Sequence, residues 1–353
     1  MTRRSNFELL RILAMAMIIG LHYLQGSRGG ALTATALAGT NYYIAHWLES
    51  AFLVGVALFV LITGYFQYDR IFFRLSKVAE ILLVVAFYGV GIFGVAVAVR
   101  GVPFSIGEFG LAGLPYLAGR RWFVETYVIL YMLSPFINAS LRALDQRGFQ
   151  ALLAIMLLFF SVWPSFLPGG PVSDNGYGII TFVLYYCIGA YLRRFELARR
   201  LPTSLLLFGY LTCATLTSAL SIAIPGQESR IWGYNFLLTI GGAVLLFLVF
   251  ARLNITSKTV NLVAGSAFGV YVIHSDYSLA RLLYRDTLHT GDFWSSPFFV
   301  VHVFGSIAAV YVACTILDLG RRWMFGALGR RIVPSLRLRL PALFMAIPRQ
   351  DAL

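Results

Sequence analysis

The sequence predicts an all-α fold, a polytopic transmembrane helical bundle of about ten helices with both termini in the cytoplasm. Three observations predict it. Apolar residues fill 59% of the 353 positions and charged residues only 12%, with a mean hydropathy of +0.78. A soluble chain carries about 25% charged residues, so a soluble protein of this composition would have nothing to put on its surface. Apolar segments long enough to span a bilayer recur between short polar breaks. Of the 28 basic residues, 21 fall on the side of the N-terminus and 7 on the other, the asymmetry that Lys and Arg show toward cytoplasmic loops. That asymmetry accounts for the net charge of +13 without a nucleic-acid partner; the expected partner of the basic surface is membrane lipid.

The spans are expected at about 7–25, 48–68, 78–99, 122–141, 149–167, 177–192, 203–224, 232–251, 260–280 and 297–318. The first could pass for a cleavable leader, because Arg3 and Arg4 precede it and Ala36–Ala38 offers small residues. Glu8, Arg11 and His22 inside it argue for a retained helix. Breaks after the later spans carry turn residues: Pro103, Pro164 with Pro168–Pro171, Pro202, Pro225–Gly226 and Pro297. The basic, aromatic stretch after about 319 is expected to lie along the inner leaflet. This divides the chain into a membrane domain, 1–320, and a basic cytoplasmic tail, 321–353. Cys187, Cys213 and Cys314 each sit in an apolar run with no metal-ligand spacing, so they read as small hydrophobes rather than a disulfide framework.

Arg11 and His22 carry the sharpest signal. They are eleven positions apart in one helix, about 20° past three full turns, so they share a face about 16 Å apart along the axis. A buried Arg costs on the order of 3 kcal/mol to insert, and a cation and an imidazole on one stripe mark a functional site. The alternative is that Arg11 snorkels to the headgroups and His22 satisfies one polar neighbour. His274 sits at a depth matching His22, about 20 Å along the ninth span, and either shares a cavity with it or is an interfacial histidine. Asp276, two residues on, points away from His274 on a continuous helix.

Other candidates have plainer alternatives. Glu125 is four residues after Arg121 and is expected to pair with it or to meet substrate. Glu80 is expected to be neutralised by Lys77. Arg70, Arg74 and Lys77 cluster at an inner helix end, either as positive-inside anchors or as receivers of a cofactor's phosphates. His46 and His289 are placed in or beside outer loops and His302 alone in the tenth helix. The sequence has no Walker loop, no G-x-S-x-G elbow and no H-E-x-x-H, so histidine is the best available acid or base and no metal is expected.

Taken in order, these segments resemble the membrane-bound acyltransferase 3 family, which includes bacterial surface-polysaccharide O-acetyltransferases. The first helix has the family's R-x10-H as Arg11 and His22, preceded by Glu8–Arg11. Leu58–Phe66 is similar to F-x-x-S-G-Y/F, with Thr63 for the serine. Arg74-x-x-Lys77 resembles a basic pair, with lysine where arginine is usual and Glu80 where a proline often follows. Trp122–Asn138 resembles W-F-x-x-x-Y-x-x-x-Y-L-x-x-P, Tyr185–Arg194 resembles G-A-Y-L-R-R, and Ser266–Tyr277 resembles F-G-x-Y-x-I-H. The resemblance implies a multi-pass protein of the bacterial cytoplasmic membrane that transfers an acyl group, expected to be acetyl, from cytosolic acetyl-CoA (acyl-CoA). The acceptor would be a hydroxyl of a cell-surface glycan or lipid-linked saccharide. His22, Arg11 and His274 would then be catalytic, with His22 as general base or covalent acyl carrier, and Arg74, Lys77, Glu125 and Tyr271 would bind substrate. The competing reading is a proton-coupled transporter or glycan flippase using His22, His274, Asp276 and Glu125 as relay groups; no inverted repeat supports it.

Overall fold

A computed structural model describes residues 4–35, 39–100, 103–114, 121–167, 170–172, 174–196 and 201–332. The Ala36–Ala38 site, Arg120, Arg199, Arg200 and the tail beyond 332 lie outside the described residues. Among the described residues there is no strand. The principal helices are α1 (Ser5–Leu24), α2 (Thr40–Phe52), α3 (Val54–Gln67), α4 (Leu75–Arg100), α5 (Ile106–Gly113), α6 (Trp122–Ala143), α7 (Gln146–Leu157), α8 (Ile179–Arg194), α9 (Thr203–Ala223), α10 (Leu237–Ala251), α11 (Lys258–Ala264), α12 (Ala267–His274) and α13 (Phe299–Ile332). Seven stretches are long and apolar enough to cross a membrane, and α10 is a shorter apolar helix. The chain is thus a multi-pass membrane protein, as its composition predicted.

Helix starts follow local chemistry. Ser105 Oγ accepts from Glu108 N at the start of α5, Asp145 Oδ1 from Gly148 N (2.7 Å) at α7, and Ser257 Oγ from Val260 N (3.3 Å) at α11. Pro135 lies inside α6 and cannot donate to the Tyr131 carbonyl. Ser134 Oγ donates to that oxygen instead, at 2.8 Å, so the helix runs on. Before Pro164, α7 widens into a π turn, Leu158–Val162, and then regains α geometry through Phe166.

Three spans differ from expectation. The second begins at Thr40, eight residues early, with only a break at Leu53. Its first half carries Asn41, His46, Glu49 and Ser50, which lower local hydropathy, yet His46, Glu49 and Ser50 are buried. His46 is therefore not a loop residue; its Nδ1 donates to Tyr42 O at 2.9 Å. The ninth span is broken, with a turn at Gly265–Ser266 between α11 and α12. The tenth continues past 320 to Ile332, and His302 is not alone in it. Its Nδ1 bonds Tyr23 Oη at 2.7 Å, and its ring stacks on Phe293 at 3.7 Å.

The centre of the bundle is α1 with the α2–α3 pair, the most buried of the long apolar stretches. Helix α1 packs on α3, α13, α2, α11, α10 and α12, and α3 packs most extensively on α8. That last contact is close because Gly64 and Gly189 face the opposite backbones. A Cβ on Gly64 would lie 2.2 Å from Tyr186 O, and one on Gly189 2.4 Å from Leu61 O.

Hydrogen bonds between helix termini sort the bundle into two ends. At one, Ser257 N bonds Ser5 Oγ, Asn6 Nδ2 bonds Phe250 O, and Asn138 Nδ2 bonds Gln67 O and Arg70 O. This is the basic end, with Arg70, Arg74, Lys77, Arg142, Arg193 and Arg194. At the other, Arg285 bonds Gly26 O and Arg28 O, and Tyr234 N bonds Asn175 O. This is the histidine end.

Candidate functional site

The two intramembrane histidines meet. Helix α1 carries His22 two residues before its C-terminus, and α12 ends on His274. Their ring centroids are 5.0 Å apart, with planes tilted 43°. His274 is fully buried, whereas His22 keeps partial exposure. A carbonyl oxygen cannot donate, so the 2.6 Å contact of His274 Nδ1 with Val270 O fixes the proton on Nδ1. In the neutral ring Nε2 then carries the lone pair, and it is enclosed without a partner, as is His22 Nδ1. Two adjoining rings thus each hold one buried, unpartnered nitrogen.

Sequence reasoning passed over the third member, Arg28, by counting it among outer-loop charges. The chain turns back after α1: Gly29 N donates to His22 O (3.1 Å) and Gly30 N to Gln25 O (2.9 Å). Two glycines permit this. A Cβ on Gly29 would lie 1.9 Å from Tyr23 O, and Gly30 has φ +90°. Arg285 holds the Arg28 and Gly26 carbonyls, and Thr290 Oγ1 holds Gly29 O at 3.0 Å. Arg28 is thereby brought within electrostatic reach of both histidines, and its Nη1 is enclosed with no hydrogen-bond partner. Burial pulls this guanidinium below its ordinary value; Tyr284, Tyr271 and Asp276 oppose that, and Arg121 adds to it. The legible signal was position, a cation six residues after the histidine and directly before two glycines.

Arg121 is fully engaged, but not as expected. Its Nη1 donates to Val272 O and Ser275 Oγ, each at 2.9 Å, and its Nη2 pairs with Asp276 Oδ2. The expected Arg121–Glu125 ion pair is thus corrected. Only the Arg121 backbone N reaches Glu125 Oε1, at 3.3 Å, because the helix begins at Trp122 and leaves Arg121 free to turn toward α12. Asp276 does not orient His274. It caps the short helix Tyr277–Arg281 by accepting from Ser278 N at 3.0 Å. Tyr271 is buried between Phe123 (5.2 Å) and His274 (6.3 Å), so it belongs to the wall of the histidine site.

The remaining predicted residues lie elsewhere. Arg11 sits below His22 on α1 and pairs with Glu8 at 2.9 Å, with its side chain 34% exposed. Lys77 pairs with Glu80 at 3.0 Å, as expected, and both are exposed. Arg70, Arg74, Lys77, Glu80 and Tyr131 line a cleft of about 250 Å³ at the basic end. The loop before α4 is held there by Asn138, by Arg142 Nη2 on Tyr68 O (2.6 Å), and by Tyr131 Oη on Arg74 N (3.2 Å). Thr63 Oγ1 contacts Tyr127 Oη at 3.2 Å and donates to Phe59 O. Asn138 Oδ1 accepts from Tyr186 at 2.8 Å. The separate sequence motifs are therefore one connected structure running from the basic cleft to the histidines. The three cysteines are free, and among the described residues no group of three His, Cys, Asp or Glu is placed to hold a metal.

No curated protein and no solved structure matches the chain. One family does: an acyltransferase domain, matched over residues 4–331. The chain belongs to this acyltransferase family, and with its membrane-spanning helices it is a membrane acyltransferase.

Proposed function

We propose that the protein moves an acyl group, the simplest being acetyl, from a cytosolic acyl-CoA to a hydroxyl of a cell-surface polysaccharide or lipid-linked glycan at the bacterial cytoplasmic membrane. One observation carries the reading: His22 and His274 lie ring to ring with two unpartnered nitrogens, with the unpartnered Arg28 Nη1 acting on both rings electrostatically. A hydroxyl reaching this site has one proton to donate, and the lone pair on His274 Nε2 or a ring nitrogen of His22 accepts it. Its oxygen attacks the thioester carbonyl as its proton passes to the histidine pair, a step worth about 10²–10⁴-fold. His22 is the ring that substrate reaches, being the partly exposed one, and His274 backs it with a lone pair on Nε2. The new C–O bond puts negative charge on the carbonyl oxygen, where Arg28 Nη1 has a donor to offer. Collapse breaks the C–S bond, and the sulfur leaves with the proton returned by the imidazolium.

The donor's phosphates suit the basic cleft. Arg74 and Lys77 line it, with Arg70 beside them, and its volume of about 250 Å³ takes a phosphate-bearing head rather than the whole donor. Arg11 lies between this cleft and His22, which suits a long, thin donor laid along α1. Glu125 and Tyr271, beside Arg121 and His274, are assigned to substrate contact. The transporter reading has no comparable support, because the chain belongs to an acyltransferase family. The decisive experiment replaces His22 with Ala and follows acyl transfer to surface glycan by mass spectrometry. Acylation should vanish at unchanged protein level; retained acylation would overturn the assignment.

A further inference from the structure

Three aromatic rings from three distant segments gather at the histidine end. Trp122 opens α6, Tyr177 lies just before α8, and Tyr234 lies in the segment leading into α10. Their centroids are 4.6 Å (Trp122–Tyr177), 5.0 Å (Tyr177–Tyr234) and 5.7 Å (Trp122–Tyr234) apart, the last pair stacked at 24°. Backbone bonds fix the group. Tyr234 N donates to Asn175 O and Tyr185 Oη to Tyr234 O, at 2.8 and 2.7 Å. Tyr234 is buried, Trp122 is partly open and Tyr177 is 43% exposed, so the platform has an accessible face.

Beside this platform is a carboxylate the catalytic reading does not use. Glu49 is only 9% exposed, and its Oε2 is enclosed with no hydrogen-bond partner among the described residues. The next residue, Ser50, accepts from Trp232 Nε1 at 3.3 Å, and His46, one turn earlier, meets the Trp232 ring at 5.3 Å, which ties α2 to the segment bearing Tyr234; Glu49 also acts electrostatically on Tyr177 and Tyr234. A buried acceptor without a donor costs about 1–3 kcal/mol, more when charged. Such a cost persists where a ligand supplies the donor.

The chemistry of the pair of features selects the ligand. An acyl chain would cover the rings and leave Oε2 bare, and an anion offers it no donor. A neutral sugar offers C–H faces to aromatic rings and hydroxyl donors at its rim, so it satisfies both. Trp122 meets Phe123 at 5.9 Å, Phe123 meets Tyr271 at 5.2 Å and Tyr271 meets His274 at 6.3 Å, so contacting rings link the platform to the reactive pair.

We propose that Trp122, Tyr177, Tyr234 and Glu49 form the acceptor subsite, binding a neutral sugar ring through aromatic stacking and one hydroxyl donated to Glu49, while another hydroxyl reaches His22 and His274. The inference rests on the acyltransferase reading above and adds to it where the acceptor sits.

The test uses the full chain in lipid nanodiscs and the methyl glycosides of glucose, galactose, mannose and N-acetylglucosamine as probes. Saturation-transfer NMR is recorded without acyl donor. At least one glycoside should show transfer to its ring C–H protons, and Glu49→Gln and Tyr177→Ala should each weaken it tenfold or more. Glu49→Gln keeps the shape and replaces a carboxyl oxygen with an amide nitrogen that only donates, and Tyr177→Ala takes away an exposed ring, so thermal unfolding of both should stay near the parent. Absence of transfer from every glycoside, or transfer undiminished in both variants, would overturn the subsite. Acyl-CoA turnover is followed separately: glycoside binding without any acyl-CoA turnover would sink the acyltransferase chemistry and leave the subsite standing.

Discussion

Arg28 and Arg11 carry the same charge toward opposite ends of α1, and their surroundings give them different work. Arg11 already has Glu8 at 2.9 Å, whereas Arg28 Nη1 has no partner. A donor that is preorganised and unpaired is the kind that stabilises charge developing in a transition state. Arg28→Met is therefore expected to lower kcat by about 10²–10³-fold with little change in the KM for acyl-CoA, and Arg28→Lys to recover part of the loss. Steady-state kinetics on purified protein check this. Arg121 is the opposite case, since every bond it makes is internal. Arg121→Ala strands Asp276 and should cost about 3–5 kcal/mol of stability. The double variant Arg121→Ala/Asp276→Ala should cost less than the sum, as thermal unfolding of the four proteins would measure.

At the scale of elements, the α3–α8 contact is set by two glycines rather than by large side chains. Gly189→Leu drives a side chain into Leu61 O and is expected to destabilise by about 1–3 kcal/mol or more. The readout is a lowered unfolding temperature and reduced yield, with the exposed Gly91, where a Cβ meets nothing within 4 Å, as a control position. The loop between α3 and α4 depends on Asn138, which bonds two of its carbonyls. Asn138→Ala releases the loop that carries Arg74, so it should raise the KM for acyl-CoA several-fold while kcat changes little. Neither device was legible as a contact. Gly64 and Gly189 stand in quoted motifs, but which backbone each one faces depends on how α3 and α8 dock. The early start of α2 was missed for a related reason. Hydropathy placed His46 in or beside a loop, whereas neighbouring segments bury it.

Over the whole molecule, the two ends of the bundle carry separate chemistry, cations at one and histidines with aromatics at the other. The charge bias predicts that the basic end faces the cytoplasm. Single reporter cysteines at Asp145 and Glu228, in a chain whose native cysteines are replaced, should then label from opposite sides of sealed vesicles. Asp145 should react from the cytoplasmic side and Glu228 from the outer side; labelling of both from one side would overturn the orientation.

By itself the sequence determined the class, the helical segments, the shared face of Arg11 and His22 and the family resemblance, because period, hydropathy and motif order are properties of one segment or of their succession. Only the tertiary structure decided that His22 meets His274, that Arg121 takes Asp276 rather than Glu125, and that Trp122, Tyr177 and Tyr234 gather. These are contacts between residues up to about 250 positions apart. Helical periodicity fixes the direction of a side chain from its own axis, but the partner it meets is set by how the helices pack.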